Sequence, residues 1–355
     1  MQRPVMNPMF MEEKDAPGKP KKPRWFHVVW SWVLRGLKLV GRVPFTSLFK
    51  GNRARLRIED GTPVQRFIRA VLYRLAFVPV ILVLFVTALV FAVTHPPRAA
   101  VESDPLAAGV YYDPVNFLSE DGTRLEGWLV PVYDAKRVLA EKERALHRKH
   151  PAIVLVHDYT GTPQQMLPIV PQLHEAGMVV LVVGLRGTGP SSSSGQTFGV
   201  REAQDVRAAV DMLRRRNYVD PARVSVMGTG SGANAAVIAA QQDPRIAALI
   251  LDRPIASFED AMGSRLGHDQ KWVNVLMPLF KWTFEAMYHV DANDLNIGSY
   301  SAVTSARPTL RFAGTGTVAP YRAQNADGVI QFLRAHKITG DRKAADGTVA
   351  STKDQ

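Results

Sequence analysis

The 355-residue sequence has no cysteine, so disulfide staples, thiolate metal sites and thiol nucleophiles are excluded and the redox compartment is left unread. Low-complexity tracts and repeats at solenoid periods are also missing. Apolar residues make up 46% of the chain, enough to build a packed core and too many for a disordered polymer. Acidic residues are scarce relative to basic ones, and the net charge is +12. The imbalance is local. Residues 1–74 carry 16 Lys and Arg against 5 Asp and Glu, whereas residues 75–355 carry 28 against 27. A basic face spread over a folded domain would indicate nucleic acid, but a basic flank ahead of an apolar run marks the cytoplasmic side of a membrane helix. Nucleic acid is therefore not an expected partner, and the lipid bilayer is.

That apolar run is Leu75 to Val93, LAFVPVILVLFVTALVFAV, nineteen residues without a charge. At about 1.5 Å per residue it is long enough to cross a hydrocarbon core of about 30 Å. Core helices of globular proteins rarely run that far without a polar position. Arg66, Arg69 and Arg74 precede the run and His95-Pro96-Pro97 closes it. This predicts a single-pass protein with a cytoplasmic N-terminus and its large domain on the outer side, periplasmic or extracellular. A cleaved signal peptide does not fit a 74-residue leader and so long an apolar stretch. Residues 24–74 form the basic segment, and over 24–43 Trp25, Trp30 and Trp32 mix with Arg35, Lys38 and Arg42, the composition of an interfacial helix. Residues 1–23, with a KPKKP run, and residues 337–355 are expected to be solvated tails.

Residues 98–336 read as one α/β domain. FLSEDGTRLEGWLVPVY (117–133) places a turn dipeptide, Asp121-Gly122, between strand-like stretches and predicts an antiparallel hairpin. AIVLVHD (152–158) and MVVLVVGLRGTG (178–189) are near-continuous apolar runs ending in turns, the pattern of strands buried on both faces. Between and after them, 166–177 and 200–216 have helical spacing, ARVSVMG (222–228) and IAALILD (246–252) are further strands, and TGSGANAAVIAAQQ is a glycine turn opening a helix of small residues. Strands alternating with helices predict a doubly wound, mostly parallel sheet with its ligand site at the carboxyl ends of the strands.

Four stretches together resemble the α/β-hydrolase superfamily in its serine esterase and serine peptidase-like branches: EDGTRLEGWLVP, LVHDYTGT (155–162), GLRGTGPSS (184–192) and DPARVSVMGTGSGANAA (220–236). The resemblance implies an oxyanion turn at His157, Asp158 and Tyr159, a nucleophile elbow at Gly228-Thr229-Gly230-Ser231-Gly232, and a helical cap at about 258–290. The cap segment carries Trp272, Leu276, Leu279, Phe280, Trp282, Phe284 and Met287 at roughly helical spacing, a stripe expected chiefly to contact the core.

Against the family pattern, glycine stands in the nucleophile slot, Gly230, with Ser231 one residue later. The acid slot falls nearest Thr317, which cannot hold an imidazolium by charge, and Asp252 at the end of a strand is the alternative acid. No histidine is assigned as base: His336 lies at the far end of the last helix, and His268 and His289 precede the acid slot. Asp158 takes the place of the family's glycine beside a site built for negative charge. Adjacent His157 and Asp158 would point to opposite faces of a strand, so no metal site is expected, nor any cofactor. The leading expectation is a membrane-anchored, catalytically degraded hydrolase domain that binds a protein partner or a small molecule. The alternatives are an active serine hydrolase using Ser231 and Asp252, and a membrane-surface scaffold working through the N-terminal segment.

Overall fold

The computed structural model describes residues 62–132, 148–189, 191, 194–267, 270–312 and 326–339. The N-terminal tail, the Trp-rich segment 24–43, His268, the acid slot at Thr317 and the tail after 339 therefore lie outside the described residues. The chain divides into two compact units, Met1–Leu82 and Val83–Gln355.

The first element, α1, is Pro63–Thr94, an unbroken helix that passes through Pro79 and starts well ahead of the apolar run. Its stretch Arg74–Thr94 is long and apolar enough to cross a membrane. From Val83 onward the helix counts with the second unit. There Val86, Val90 and Thr94, spaced four apart and so on one helix face, are fully buried, while Leu84, Phe85 and Phe91 on the other sides are exposed.

The rest is a seven-stranded sheet in the order β1-β2-β4-β3-β5-β6-β7, comprising β1 (Asp113–Leu118), β2 (Arg124–Val130), β3 (His150–Val156), β4 (Val179–Gly184), β5 (Val219–Thr229), β6 (Ala248–Asp252) and β7 (Thr309–Phe312). The first two strands form the hairpin expected around Asp121-Gly122, with Leu118 opposite Arg124. β2 runs antiparallel to β4, and β3 through β7 pair in parallel. Every residue of β3, β4 and β6 is buried, which is why these strands read as apolar runs without alternation. The covering helices are α2 (Val170–Glu175), preceded by a 3-10 segment Pro163–Ile169, α3 (Glu202–Arg214), α4 (Ser231–Gln242) and α8 (Ala326–Ala335). Two apolar clusters lie on the two faces of the sheet, one centred on α3 and α4 and the other on α2 and α8. Between β6 and β7 come α5 (Phe258–Leu266), α6 (Lys271–Tyr288) and the short α7 (Ser301–Ser305).

From β3 the chain winds to β4 on one side and then returns to β5 on the other. The carboxyl ends of β3 and β5 thus flank the crevice where a doubly wound sheet holds its ligand. Val156 and Gly228 are register partners there, so the turns after the two strands face one another.

Candidate active site

The turn after β5 is sharp because three glycines permit it. Gly230 sits at φ +55°, ψ −121°, a conformation that side chains rarely tolerate. A Cβ on Gly228 would lie 2.2 Å from the Gly232 carbonyl oxygen, and one on Gly232 would lie 2.4 Å from the carbonyl oxygen of His157. α4 can therefore begin against both its own strand and the end of β3 only with glycine at those two places. The apex of the elbow is Gly230, and Ser231 is the first residue of α4.

Facing the apex is Asp158. Its Oδ1 accepts the N–H of Ser231 at 2.7 Å and the N–H of Tyr159 at 2.7 Å. These are the amide after the elbow apex and an amide of the turn after β3, the pair that an acyl-transfer site of this fold directs at a developing oxyanion. The carboxylate also fills the space of the missing nucleophile: a Cβ on Gly230 would fall 1.9 Å from Asp158 Oδ1 and 2.1 Å from its Cγ. Asp158 is 6% exposed, and burial raises its pKa against the pull of the two amides and of Arg265 and Arg253.

His157 is fully buried and serves the turn. Its Nε2 accepts the Leu185 N–H at 3.2 Å, which leaves the proton on Nδ1 to donate to the Asp158 carbonyl at 2.8 Å. Burial lowers its pKa to about 4, so it stays neutral at physiological pH. Burial pushes Tyr159 up to about 12, and the Arg265 guanidinium lies 4.4 Å from its ring centroid. The Tyr159 hydroxyl donates to the Val93 carbonyl, the Tyr288 hydroxyl donates to Thr94 Oγ1, and the Gln196 N–H donates to the Thr94 carbonyl at 2.8 Å. The last turn of α1 is thus fastened to the turn after β3, to α6 and to the loop before α3.

Asp252 ends β6, with its backbone carbonyl bonded to the Gly230 N–H at 2.9 Å. Its carboxylate is engaged by the Thr229 hydroxyl at 3.0 Å and the Arg253 guanidinium at 3.3 Å. Ser231 is 3% exposed, and among the described residues no side chain is hydrogen-bonded to its hydroxyl. His289 lies at φ +56° as the cap of α6, and His336 Nδ1 is bonded to the Phe332 carbonyl at 2.8 Å. The described residues thus place at the elbow a buried carboxylate held by two amides, facing an apex that carries no side chain.

Residue identity alone left two supports of this crevice unread. Arg186, completely buried, binds Asp205 at 2.6 Å and Asp121 at 2.6 Å and donates to Ser119 at 3.2 Å, tying the turn after β4 to α3 and to the β1–β2 hairpin. Hydrogen bonds from Thr123 and Arg186 hold Asp121 below the ordinary carboxylate range despite the opposing effect of burial. The signal for this network was an acidic pair, Glu202 and Asp205, in the first turn of α3. The other missed feature is the clasp of Tyr159 and Tyr288 on α1.

The strand order, the glycine elbow and the facing amide pair define an α/β-hydrolase architecture. The chain has the α/β-hydrolase fold, and the prolyl oligopeptidase family matches its residues 166–278. The uncharacterized protein YfhR of Escherichia coli O157:H7 is 30% identical over 190 residues, covering 50% of this chain and 62% of that protein. The alpha/beta hydrolase domain-containing protein WAV2 of Arabidopsis thaliana is 26% identical over 180 residues, half of each chain. Among solved structures, the Pyrococcus furiosus esterase Pf2001 is 18% identical with a TM-score of 0.48, over 68% of this chain and 98% of that one. The chain thus spans 62% of the length of the two Escherichia coli YfhR relatives that it matches, and 46% of the Salmonella ones.

Proposed function

We propose that this chain is a membrane-anchored α/β-hydrolase-fold protein that has lost serine-hydrolase chemistry and works as a binding or assembly module, held to the bilayer by α1. The observation that carries the reading is the Asp158 carboxylate: Oδ1 occupies both amides that would stabilise an oxyanion, and the group fills the space beside Gly230 where a nucleophile would stand. A negative charge lodged there opposes the charge that develops in acyl transfer. Glycine at the apex supports the same reading, since an elbow without a side chain supplies no nucleophile. The partner is a protein or small molecule recognised at the crevice, with the N-terminal segment cytoplasmic and the domain on the opposite side.

The test is labelling of the purified full chain by a fluorophosphonate probe, together with ester hydrolysis. No stoichiometric labelling and no hydrolysis above background are expected. Labelling of the wild-type chain that vanishes in Ser231→Ala would overturn the reading and make Ser231 a nucleophile.

A further inference from the structure

The two oxygens of the Asp158 carboxylate are not used alike. Oδ1 takes both amide donors, from Ser231 and Tyr159 at 2.7 Å each. Among the described residues no donor is hydrogen-bonded to Oδ2, and Asp158 takes part in no ion pair. Oδ2 lies 2.4 Å from the place that a Cβ on Gly230 would take, so it stands at the bare apex of the elbow, at the end of the sheet where this fold holds its ligand. The residue is more than nine-tenths withdrawn from water. Burying a carboxylate without a counter-charge is costly, and the two amides offset only part of that cost, since burial still holds the pKa above its ordinary value.

The cations around it are committed elsewhere or loosely held. The charge of Arg253 reaches Asp158, but its ion pair is with Asp252 at 3.3 Å. His157 is neutral, its ring bonded to the Leu185 N–H and the Asp158 carbonyl. Arg265, in the last turn of α5, is exposed; its guanidinium covers the Tyr159 ring at 4.4 Å from the centroid and forms no ion pair among the described residues. A guanidinium of the chain's own thus already rests on the ring next to Asp158. Beyond Tyr159 the wall is aromatic: the Phe198 ring lies 5.1 Å from Tyr159, Phe284 lies 6.2 Å from Phe198, and Phe258 lies 5.1 Å from Phe284. Such surroundings strengthen a charge pair and suit a cation with an apolar body.

We propose that the crevice recognises a guanidinium or ammonium group carried on an apolar arm, which donates to Asp158 Oδ2 and sets its charge near the face of Tyr159 that Arg265 now covers. The inference names a ligand class for the binding reading above and rests on it: the charge that opposes an oxyanion is a seat for a cation. Arg265 competes for that seat, and its exposed side chain swings aside when the ligand enters.

The test is calorimetric titration of the full chain in detergent, at about pH 8, with n-butylguanidinium and with neutral n-butylurea of the same shape. The wild type should bind the guanidinium and not the urea. Asp158→Asn keeps an acceptor for both amides but not the charge, and should lose at least about tenfold in affinity. Arg265→Gln removes the competing guanidinium from an exposed position and should bind several times more tightly; it keeps the test open if thermal melts show that Asp158→Asn does not fold. Equal affinity in the wild type and a folded Asp158→Asn, a urea that binds as tightly as the guanidinium, or no binding by either the wild type or Arg265→Gln would overturn the proposal. N-acetylarginine N-methylamide separates the sources of the cation: tighter binding than n-butylguanidinium assigns it to a polypeptide side chain, weaker binding to a small free molecule. Fluorophosphonate labelling of the same preparation keeps the two readings apart. An unlabelled chain that binds no cation refutes the cation site alone, whereas labelling that depends on Ser231 refutes the reading beneath it.

Discussion

Placing a serine at the elbow apex, Gly230→Ser, restores the residue type that the superfamily uses there but sets it against Asp158. The apex conformation, φ +55° and ψ −121°, costs a residue with a side chain roughly 1–3 kcal/mol. The new Cβ would lie 1.9 Å from Asp158 Oδ1, so the carboxylate must leave and give up its bonds from the Ser231 and Tyr159 amides. Hydrogen bonds to a charged group contribute roughly 1.5–3 kcal/mol each, which brings the expected loss to about 4–9 kcal/mol, comparable with the whole stability of many domains. Asp158→Gly on its own also destabilises, because two buried amides lose their partner. Combined with Gly230→Ser, however, it removes a carboxylate that has already been displaced. The double variant should therefore be more stable than Gly230→Ser alone, with a coupling energy of at least about 2 kcal/mol. Thermal melts of the three full-length variants in detergent would show this, at roughly 2–4 °C per kcal/mol for a domain of this size. A Gly230→Ser chain that melts with the wild type, or a double variant that melts below it, would refute the claim that Asp158 occupies the nucleophile's space.

Three further tests address the charge, the scaffold and the topology. Burial raises the pKa of Asp158, so the fold favours its protonated form; that contribution is present at low pH and lost as pH rises through the shifted value. Asp158→Asn, which keeps an acceptor for both amides, should match the wild type in acid and melt at or above it at alkaline pH, whereas Asp158→Ala should melt lower throughout; a steeper alkaline loss in Asp158→Asn would contradict this. Arg186→Ala strands the buried Asp205 carboxylate and should cost about 3–5 kcal/mol in denaturant unfolding, and pairing Arg186→Met with Asp205→Leu should recover most of it. Protease added outside intact cells, or spheroplasts where an outer membrane is present, should digest the domain after residue 97 and spare the basic arm; the opposite pattern would reverse the proposed orientation.

Much of the architecture was legible because it is written locally. Strands buried on both faces must be apolar throughout, so β3, β4 and β6 announced themselves as unbroken runs, and the glycines at 228, 230 and 232 announced a strand-to-helix turn. The nineteen-residue run of Leu75 to Val93 announced the candidate span in the same way. Local pattern could not reveal that Asp158 would enter the amide pair rather than merely sit beside it. That contact joins residues far apart in the chain and exists because β3 and β5 are neighbours in a register that aligns Val156 with Gly228. Likewise, apolar residues surround much of α6, and periodicity could not say which of them face the sheet: packing took Phe280 and Phe284 into the core and left Trp272 and Val275 outside. The clasp of Tyr159 and Tyr288 on the end of α1 is of the same kind. Hydrophobic period is a property of each segment alone, whereas the occupant of a crevice depends on which segments strand order brings together, and that was decided only by the tertiary structure.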